Sequence, residues 1–242
     1  MYPDLIFHPS PNFNSRPIGQ TINILLIHYT GMQNGSVALD RMCDPQSKVS
    51  AHYMIEENGD IFALVEEKNR AWHAGIGGWQ NEDNINNCSI GIELVNPGHK
   101  FGYRPFQEKQ MISLINLAKK ILARHPIPPR HVLGHSDIAP LRKEDPGELF
   151  DWKRLADNGI GLYPDDTFIH KDKNLYEWKN DIYQLKCNLR KFGYILGINS
   201  IYDDELKAVI TAFQRHFHPH ICDGLWNEEC QNKLINLLMQ IN

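Results

Sequence analysis

The sequence lacks the features that mark a membrane-spanning, nucleic-acid-binding or disulfide-rich protein. Its apolar runs are short, such as Ile24–Ile27, whereas a membrane-spanning helix needs about 20 apolar residues in succession. No long block of either charge occurs and the formal net charge is −4, which speaks against a nucleic-acid partner. The five cysteines are odd in number and form no CxxC pair, so we expect idle thiols and no disulfide framework.

The length and composition are those of an ordinary globular protein. The chain has 242 residues, of which 42% are hydrophobic and 22% charged, enough for one large domain or two unequal ones. The N-terminal residues, Met1–Asp4, lack the basic start and apolar region of a secretory signal. We therefore expect either a cytoplasmic protein or a mature chain from which a signal has been removed.

The first two-thirds of the chain mixes strand and helix patterns. The Ile- and Leu-rich stretch 21–29 predicts a central strand covered on both faces, and the Asn-Gly pair at 58–59 predicts a hairpin. Further strands are predicted at 89–95 and 131–134, with a long helix between them after Pro105. This order of elements predicts an α/β sheet domain.

The C-terminal part follows a different pattern. Three sets of apolar residues at helical spacing predict three short helices that pack into a small bundle. A stretch without periodicity precedes them and predicts a linker. We expect a larger α/β domain at residues 1–165, a linker at 166–174 and a three-helix domain at 175–242.

Two of the twelve histidines lie at or after the ends of predicted strands. A carboxylate lies near the second of them in sequence. His28 ends the first strand, His135 follows a later one, and Asp145 lies ten residues beyond His135. Two imidazoles and one carboxylate are a common ligand set of catalytic zinc, which leaves a fourth position for water or substrate. The alternative is that the three are separate structural or surface residues, because sequence position alone does not establish proximity.

Glu93 and Lys143 are two further candidates near these residues. Glu93 lies in an otherwise apolar strand, where a lone carboxylate is costly to bury unless it is paired or used. Its alternative is a solvent-facing position on the strand. Lys143 is two residues from Asp145, and its alternative is an ordinary surface lysine.

An alternating run of His216, His218 and His220 lies outside the predicted α/β domain. On a strand the three rings would share one face and could bind a metal. Because the run is interrupted by Pro219, solvent-exposed histidines are the favoured interpretation.

The first domain contains IHYT at 27–30, VSAHY at 49–53, AWHAG at 71–75, SIGIELVN at 89–96 and GHSDIAPLRKEDPG at 134–147. In this order they strongly resemble the zinc N-acetylmuramoyl-L-alanine amidases of the AmpD and AmiD type. These share a fold with phage T7 lysozyme and the peptidoglycan recognition proteins. The resemblance implies a mixed central β-sheet flanked by helices. It departs from the family at Leu141, where glycine is usual.

The resemblance also implies a role for each matching residue. His28, His135 and Asp145 would bind one Zn²⁺ ion per chain. Glu93 would be the general base that activates the attacking water, and Lys143 would stabilise the oxyanion.

His52, Trp72 and His73 are also implied by the resemblance, as residues that line or support the substrate groove. For His52 the alternative is a satisfied core histidine, and for Trp72 it is ordinary packing. The implied reaction is hydrolysis of the amide bond between N-acetylmuramic acid and L-alanine in peptidoglycan or its fragments.

The C-terminal part contains LRKFGY at 189–194, AVITAFQ at 208–214 and DGLW at 223–226. These segments resemble the small three-helix peptidoglycan-binding domain of wall hydrolases, although Trp226 stands where glycine is frequent. The alternative is a helical appendage that only packs on the amidase. A tethered wall binder raises the effective concentration at a polymer, which favours peptidoglycan as partner and the periplasm as location.

Two rival functions remain open at this point. One is a non-catalytic peptidoglycan receptor on the same fold, although receptor members often lack part of the ligand set that this chain retains. The other is a zinc endopeptidase that cuts within the stem peptide, although no HExxH motif is present. The sequence gives no indication of the oligomeric state.

Overall fold

The structure is a computed structural model that describes residues 5–165, 167–168 and 181–241. A six-stranded sheet and a two-stranded sheet are surrounded by helices. The strands are β1 Leu5–Phe7, β2 Phe13–Ser15, β3 Ile24–Tyr29, β4 Tyr53–Ile55, β5 Ile61–Ala63, β6 Asn69–Ala71, β7 Ser89–Leu94 and β8 Val132–Gly134. The helices are α1 Gly35–Cys43, α2 Ile85–Cys88, α3 Gly98–Phe101, α4 Glu108–Arg124, α5 His135–Ile138, α6 Trp152–Asp157, α7 Ile182–Phe192, α8 Asp204–Phe217 and α9 Glu228–Gln240.

The large sheet is mixed, as predicted, with the strand order β1-β5-β4-β7-β3-β8. The four strands β4, β7, β3 and β8 run parallel to one another, and β5 returns antiparallel to β4. The predicted hairpin is therefore confirmed as β4–β5, with Gly59 at positive φ in its turn. The small sheet pairs β2 with β6.

The central strand β3 is covered on both faces, as its apolar sequence predicts. Leu25 and Ile27 belong to the core on one face, which they share with the apolar side of α4. Ile24 and Leu26 belong to the core on the other face. Because side chains alternate along a strand, His28 points to the same face as Ile24 and Leu26.

The C-terminal helices α7, α8 and α9 form the predicted three-helix bundle, and each begins at an Asp or Asn whose side chain accepts a backbone N–H. Their core is continuous with the face of the sheet that carries His28. Trp79 of the first domain is fully buried there, with ring centroids 5.8 Å from Phe192 and 4.9 Å from Tyr194. The predicted linker lies outside the described residues, apart from residues 167 and 168.

The expectation of solvent exposure for the histidine run was wrong for two of its three members. His216 is 4% exposed and His218 is 5% exposed, because both lie where α8 ends and packs inward, while His220 is exposed. All five cysteines are free thiols. Within the described ranges, no helix is long and apolar enough to cross a membrane.

We predict that Phe192→Ala destabilises the two packed parts together. Loss of this ring leaves a cavity beside Trp79, and such substitutions lower the free energy of unfolding by about 3–5 kcal/mol. Differential scanning calorimetry should show one transition, moved to lower temperature. The exposed Met239→Ala serves as control and should leave the transition in place. Two separate transitions, of which only one moves, would contradict a shared core.

Candidate active site

The register of three parallel strands brings together residues that are far apart in sequence. His28 on β3 is directly paired with Glu93 on β7, so both side chains lie on the same face of the sheet. On the other side of β3, Ile27 is paired with Gly134, the last residue of β8. His135 follows Gly134 immediately and therefore lies beside His28. Ligand sites in open α/β sheets are found at this carboxyl edge of the strands.

His28, His135 and Asp145 form a compact triangle of donor atoms. The distances are 2.9 Å between the two Nδ1 atoms and 3.0 Å from each Nδ1 to Asp145 Oδ2. Ligand atoms about 2.0 Å from one tetrahedral ion lie about 3.3 Å apart, so the triangle needs to open by only a few tenths of an ångström. Within the described part of the chain, these residues are the group that fits a metal ion.

Each imidazole has a partner on its outer nitrogen, Nε2, so that its Nδ1 points toward the other two donor atoms of the triangle. His28 Nε2 lies 3.0 Å from His73 Nδ1, and His135 Nε2 lies 2.8 Å from the carbonyl oxygen of Ala74. A partner on the outer nitrogen fixes ring orientation and tautomer, as in many metal sites. Gly91 makes room for this arrangement, because a Cβ there would lie 2.5 Å from His73 Nδ1.

The protonation states of the triangle suit a divalent cation. Burial, together with the neighbouring His135, lowers the pKa of His28 to about 4. Burial by itself would raise the pKa of Asp145, but the adjacent His135 and His28 hold it well below its ordinary value. At neutral pH, His28 is therefore neutral and Asp145 is a carboxylate, which are the forms that bind metal.

Asp145 is positioned by hydrogen bonds of its own loop. Its carbonyl oxygen accepts the N–H of Ser136 at 2.9 Å, which ties it to the turn that carries His135. The next carbonyl, of Pro146, accepts the hydroxyl of Tyr103 at 2.7 Å. The third donor atom is therefore set by backbone contacts to two other segments.

Glu93 brings a carboxyl group to the site, and one of its oxygens lacks a partner among the described residues. Its Oε2 atom is enclosed and has no hydrogen-bond partner among the described residues. Burial, with a further contribution from Asp145, raises its pKa well above the ordinary value. The enclosed oxygen makes ionisation costly, and because Glu93 also lines the cleft, its carboxyl group is suited to exchange a proton with a molecule bound there.

The triangle opens into a cleft of about 550 Å³. Glu93, Lys143, Trp72 and His73 all line this cleft, together with His135 and Asp145 of the triangle. Sequence reasoning did not single out several other lining residues, among them Tyr29, Arg41, Lys100, Phe101 and Arg142.

Arg142 adds to the support of the triangle. Its Nη2 donates to the carbonyl oxygens of Ala74 at 2.8 Å and Ile76 at 2.6 Å. The first is the same oxygen that His135 Nε2 contacts. The one sequence signal for Arg142 is its place in the segment at 134–147.

His52 does not line the cleft. It is fully buried, and its Nδ1 accepts the N–H of Gly91 at 2.9 Å. Its Nε2 lies 2.9 Å from Arg16 Nη2. His52 therefore supports β7, the strand that carries Glu93, and this geometry favours the core-histidine alternative over direct substrate contact.

A donor triangle and a buried carboxyl group at the carboxyl edge of an α/β sheet, open to a cleft, are the arrangement expected of a metal-dependent hydrolase. A family model described as N-acetylmuramoyl-L-alanine amidase matches residues 18–148, and a model of peptidoglycan-binding domains matches residues 179–234. The chain belongs to the N-acetylmuramoyl-L-alanine amidase family.

Curated relatives and solved structures agree with this membership. N-acetylmuramoyl-L-alanine amidase AmiD of Escherichia coli is 39% identical over 228 residues, 87% of this chain and 80% of that protein. The 1,6-anhydro-N-acetylmuramyl-L-alanine amidase AmpD of Haemophilus influenzae is 39% identical over 163 residues, 60% of this chain and 86% of that protein.

Two solved structures match both parts of the chain. AmiD of Escherichia coli, in complex with anhydro-N-acetylmuramic acid-L-Ala-D-γ-Glu-L-Lys, has a TM-score of 0.79 at 35% identity, covering 93% of this chain and 92% of that one. AmpDh3 of Pseudomonas aeruginosa has a TM-score of 0.82 at 34% identity, covering 94% and 95%. The resemblance and the fold class that the sequence predicts are thus confirmed.

We expect the purified protein to carry one zinc ion per chain, and His135→Ala or Asp145→Ala to lose it. Each change removes one of three donor atoms that converge within 3.0 Å of one another. Metal content can be measured by mass spectrometry of the protein after gel filtration. His125→Gln is the control, because His125 bonds Glu67 away from the cleft. A full zinc complement in both triangle variants would place the metal elsewhere.

Proposed function

We propose that this chain hydrolyses the amide bond between N-acetylmuramic acid and L-alanine with one Zn²⁺ ion held by His28, His135 and Asp145. The observation that carries the proposal is the triangle of donor atoms beside the unpaired carboxylate of Glu93. The family membership names the bond that is cut. When bound, zinc supplies positive charge that polarises a carbonyl group and acidifies water.

Glu93 acts as the general base in this proposal. Its carboxyl group lines the cleft beside the donor triangle and accepts a proton from the attacking water there. The protonated carboxyl then donates to the leaving amine of L-alanine, which must gain a proton for the bond to break. The raised pKa of Glu93 favours a group that can both take up and return a proton.

Lys143 stabilises the negative charge that develops on the carbonyl oxygen. Its side chain lines the cleft next to Asp145, and its positive charge is near enough to affect the pKa of Glu93. A fixed cation at the position of developing charge lowers the barrier more than it favours substrate binding.

Trp72 and His73 are proposed to contact the substrate, and His52 to hold the strand beneath them. Trp72 lines the cleft, and its Nε1 donates to Asn14 Oδ1 at 3.0 Å, which holds the indole in place at the cleft wall. The relatives named above support muropeptides as substrates, since AmpD is named for a 1,6-anhydro-muramyl amide and AmiD is solved with an anhydromuropeptide.

The C-terminal helices are proposed to bind peptidoglycan and so to hold the enzyme at the wall polymer. The match to peptidoglycan-binding domains over residues 179–234 supports this role. Tethering raises the effective concentration of substrate only for a polymer or a large fragment. We therefore propose a catalytic domain at residues 1–165, a linker at 166–174 and a wall-binding domain at 175–242, acting in the periplasm.

The two rival functions explain the site less well. A receptor has no use for an enclosed carboxylate beside a complete donor triangle, which is costly to maintain without a ligand. An endopeptidase would need the scissile bond to lie further along the stem peptide. The match to the amidase family gives no support to that position.

We predict that Glu93→Gln keeps the zinc ion but lowers kcat by about 10²–10⁴-fold, the usual contribution of a general base. The amide has the shape of the carboxylate and cannot take the proton. Hydrolysis of a purified anhydromuropeptide gives kcat, and metal analysis of the same sample gives the zinc content. A Glu93→Gln protein with unchanged kcat would remove Glu93 from the role of base. Loss of zinc from this variant would instead assign Glu93 to the metal site.

A further inference from the structure

Asp137 is a buried carboxylate that joins the two parts of the chain. It is 2% exposed, and both of its oxygens are bonded. Oδ1 accepts the hydroxyl of Tyr194 at 2.8 Å, and Oδ2 lies 2.8 Å from His216 Nδ1. Burial, followed by the neighbouring Asp137, raises the pKa of Tyr194 well above its ordinary value, so the phenol keeps its proton and donates.

The same carboxylate organises the turn that carries a proposed zinc ligand. Asp137 Oδ2 also accepts the backbone N–H of Gly134 at 2.7 Å, which closes the turn between β8 and α5. His135 is the first residue of α5 and lies inside this closed turn. Ser136 of the turn donates to the carbonyl of Asp145, so a shift of Asp137 would move two of the three donors.

The His216 ring is held in one orientation by stacking. Trp152 of α6 lies 3.7 Å away between centroids at an interplanar angle of 18°, and Phe217 lies at 3.9 Å and 14°. The first of these partners belongs to the α/β part of the chain and the second to α8. The ring therefore presents Nδ1 to Asp137 from a fixed position.

A second contact from α8 reaches the other ligand-bearing segment. Arg215 Nη2 lies 3.4 Å from Glu144 Oε2, and Glu144 stands between Lys143 and Asp145. Because α8 thus reaches both the turn at 134–138 and the loop at 143–148, the C-terminal helices are part of the scaffold of the site.

We propose that Tyr194 and His216 are positioning residues of the catalytic centre, which act through Asp137 to hold His135 and Asp145 in the donor triangle. This inference rests on the proposed zinc site. It gives the C-terminal helices a role in catalysis that is separate from wall binding. Small soluble muropeptides, which need no tether, therefore depend on this part of the chain as well.

The test compares Tyr194→Phe and His216→Ala with wild type and with His218→Ala. Tyr194→Phe removes one oxygen atom and keeps the ring against Trp79. His218 is a matched control, because it is equally buried at the end of α8 but its Nε2 lies 3.1 Å from the exposed Glu229 of α9. His216→Asn is the conservative variant, since its amide can still donate to Asp137.

Four quantities are measured on the full chain: the rate of zinc loss to a chelator, kcat and KM for a soluble anhydromuropeptide, and sedimentation with insoluble sacculi. Tyr194→Phe and His216→Ala should lose zinc faster and show kcat lower by about 10- to 100-fold, as for other residues that orient metal ligands. KM and sedimentation should stay at the wild-type level. His216→Asn should recover much of the loss, and His218→Ala should behave as wild type.

Wild-type zinc loss and kcat in a folded Tyr194→Phe protein would overturn the inference, even if His216→Ala fails to fold. Equal defects in His218→Ala would overturn it too, because they would reflect general destabilisation of the bundle. If wild type itself holds no zinc and cleaves no muropeptide, the proposed function fails and this inference fails with it. If wild type binds zinc and is active, and Tyr194→Phe and His216→Ala match it in zinc loss and kcat, the positioning role is contradicted and the proposed function stands.

Discussion

The register between β7, β3 and β8 is the constraint on which the site depends. Because the strands are parallel and in step, Glu93 and His28 are cross-strand neighbours, and His135 leaves β8 beside them. A shift of β3 by one residue would turn His28 to the opposite face and dismantle the triangle. The apolar residues of β3, buried on both faces, oppose any such shift. The chemistry of the cleft is thus protected by the packing of the sheet.

The choice of face has a consequence for the whole chain. His28 points to the side on which Ile24 and Leu26 pack with the C-terminal helices, and α4 covers the other side. The bundle therefore closes the core directly beneath the site. A buried cluster of ionisable groups is unfavourable without a ligand, and a metal ion would offset that cost. Metal binding, folding of the catalytic domain and docking of the bundle are consequently expected to be coupled.

Local patterns in the sequence were sufficient for most of the fold. Strand β3, the β4–β5 hairpin, α4 and the three C-terminal helices follow from hydrophobic periodicity and turn residues.

The candidate ligands could be predicted from their residue types and from their positions at the ends of strands. Their roles followed from the family resemblance. The burial of His216 and its contact with Asp137 were not predictable, because that pair is 79 residues apart in sequence and forms only when α8 docks. The support of β7 by His52 likewise depends on Arg16, from a segment without a clear pattern.

Mass spectrometry of purified muropeptides, incubated with the protein in the presence and absence of a zinc chelator, tests the central claim most directly. The account predicts release of the intact stem peptide beginning with L-alanine, which stops with chelator and returns when zinc is added. A shortened peptide still joined to muramic acid would identify an endopeptidase. No release of any kind by the zinc-bound protein would contradict the enzymatic function and leave a peptidoglycan receptor.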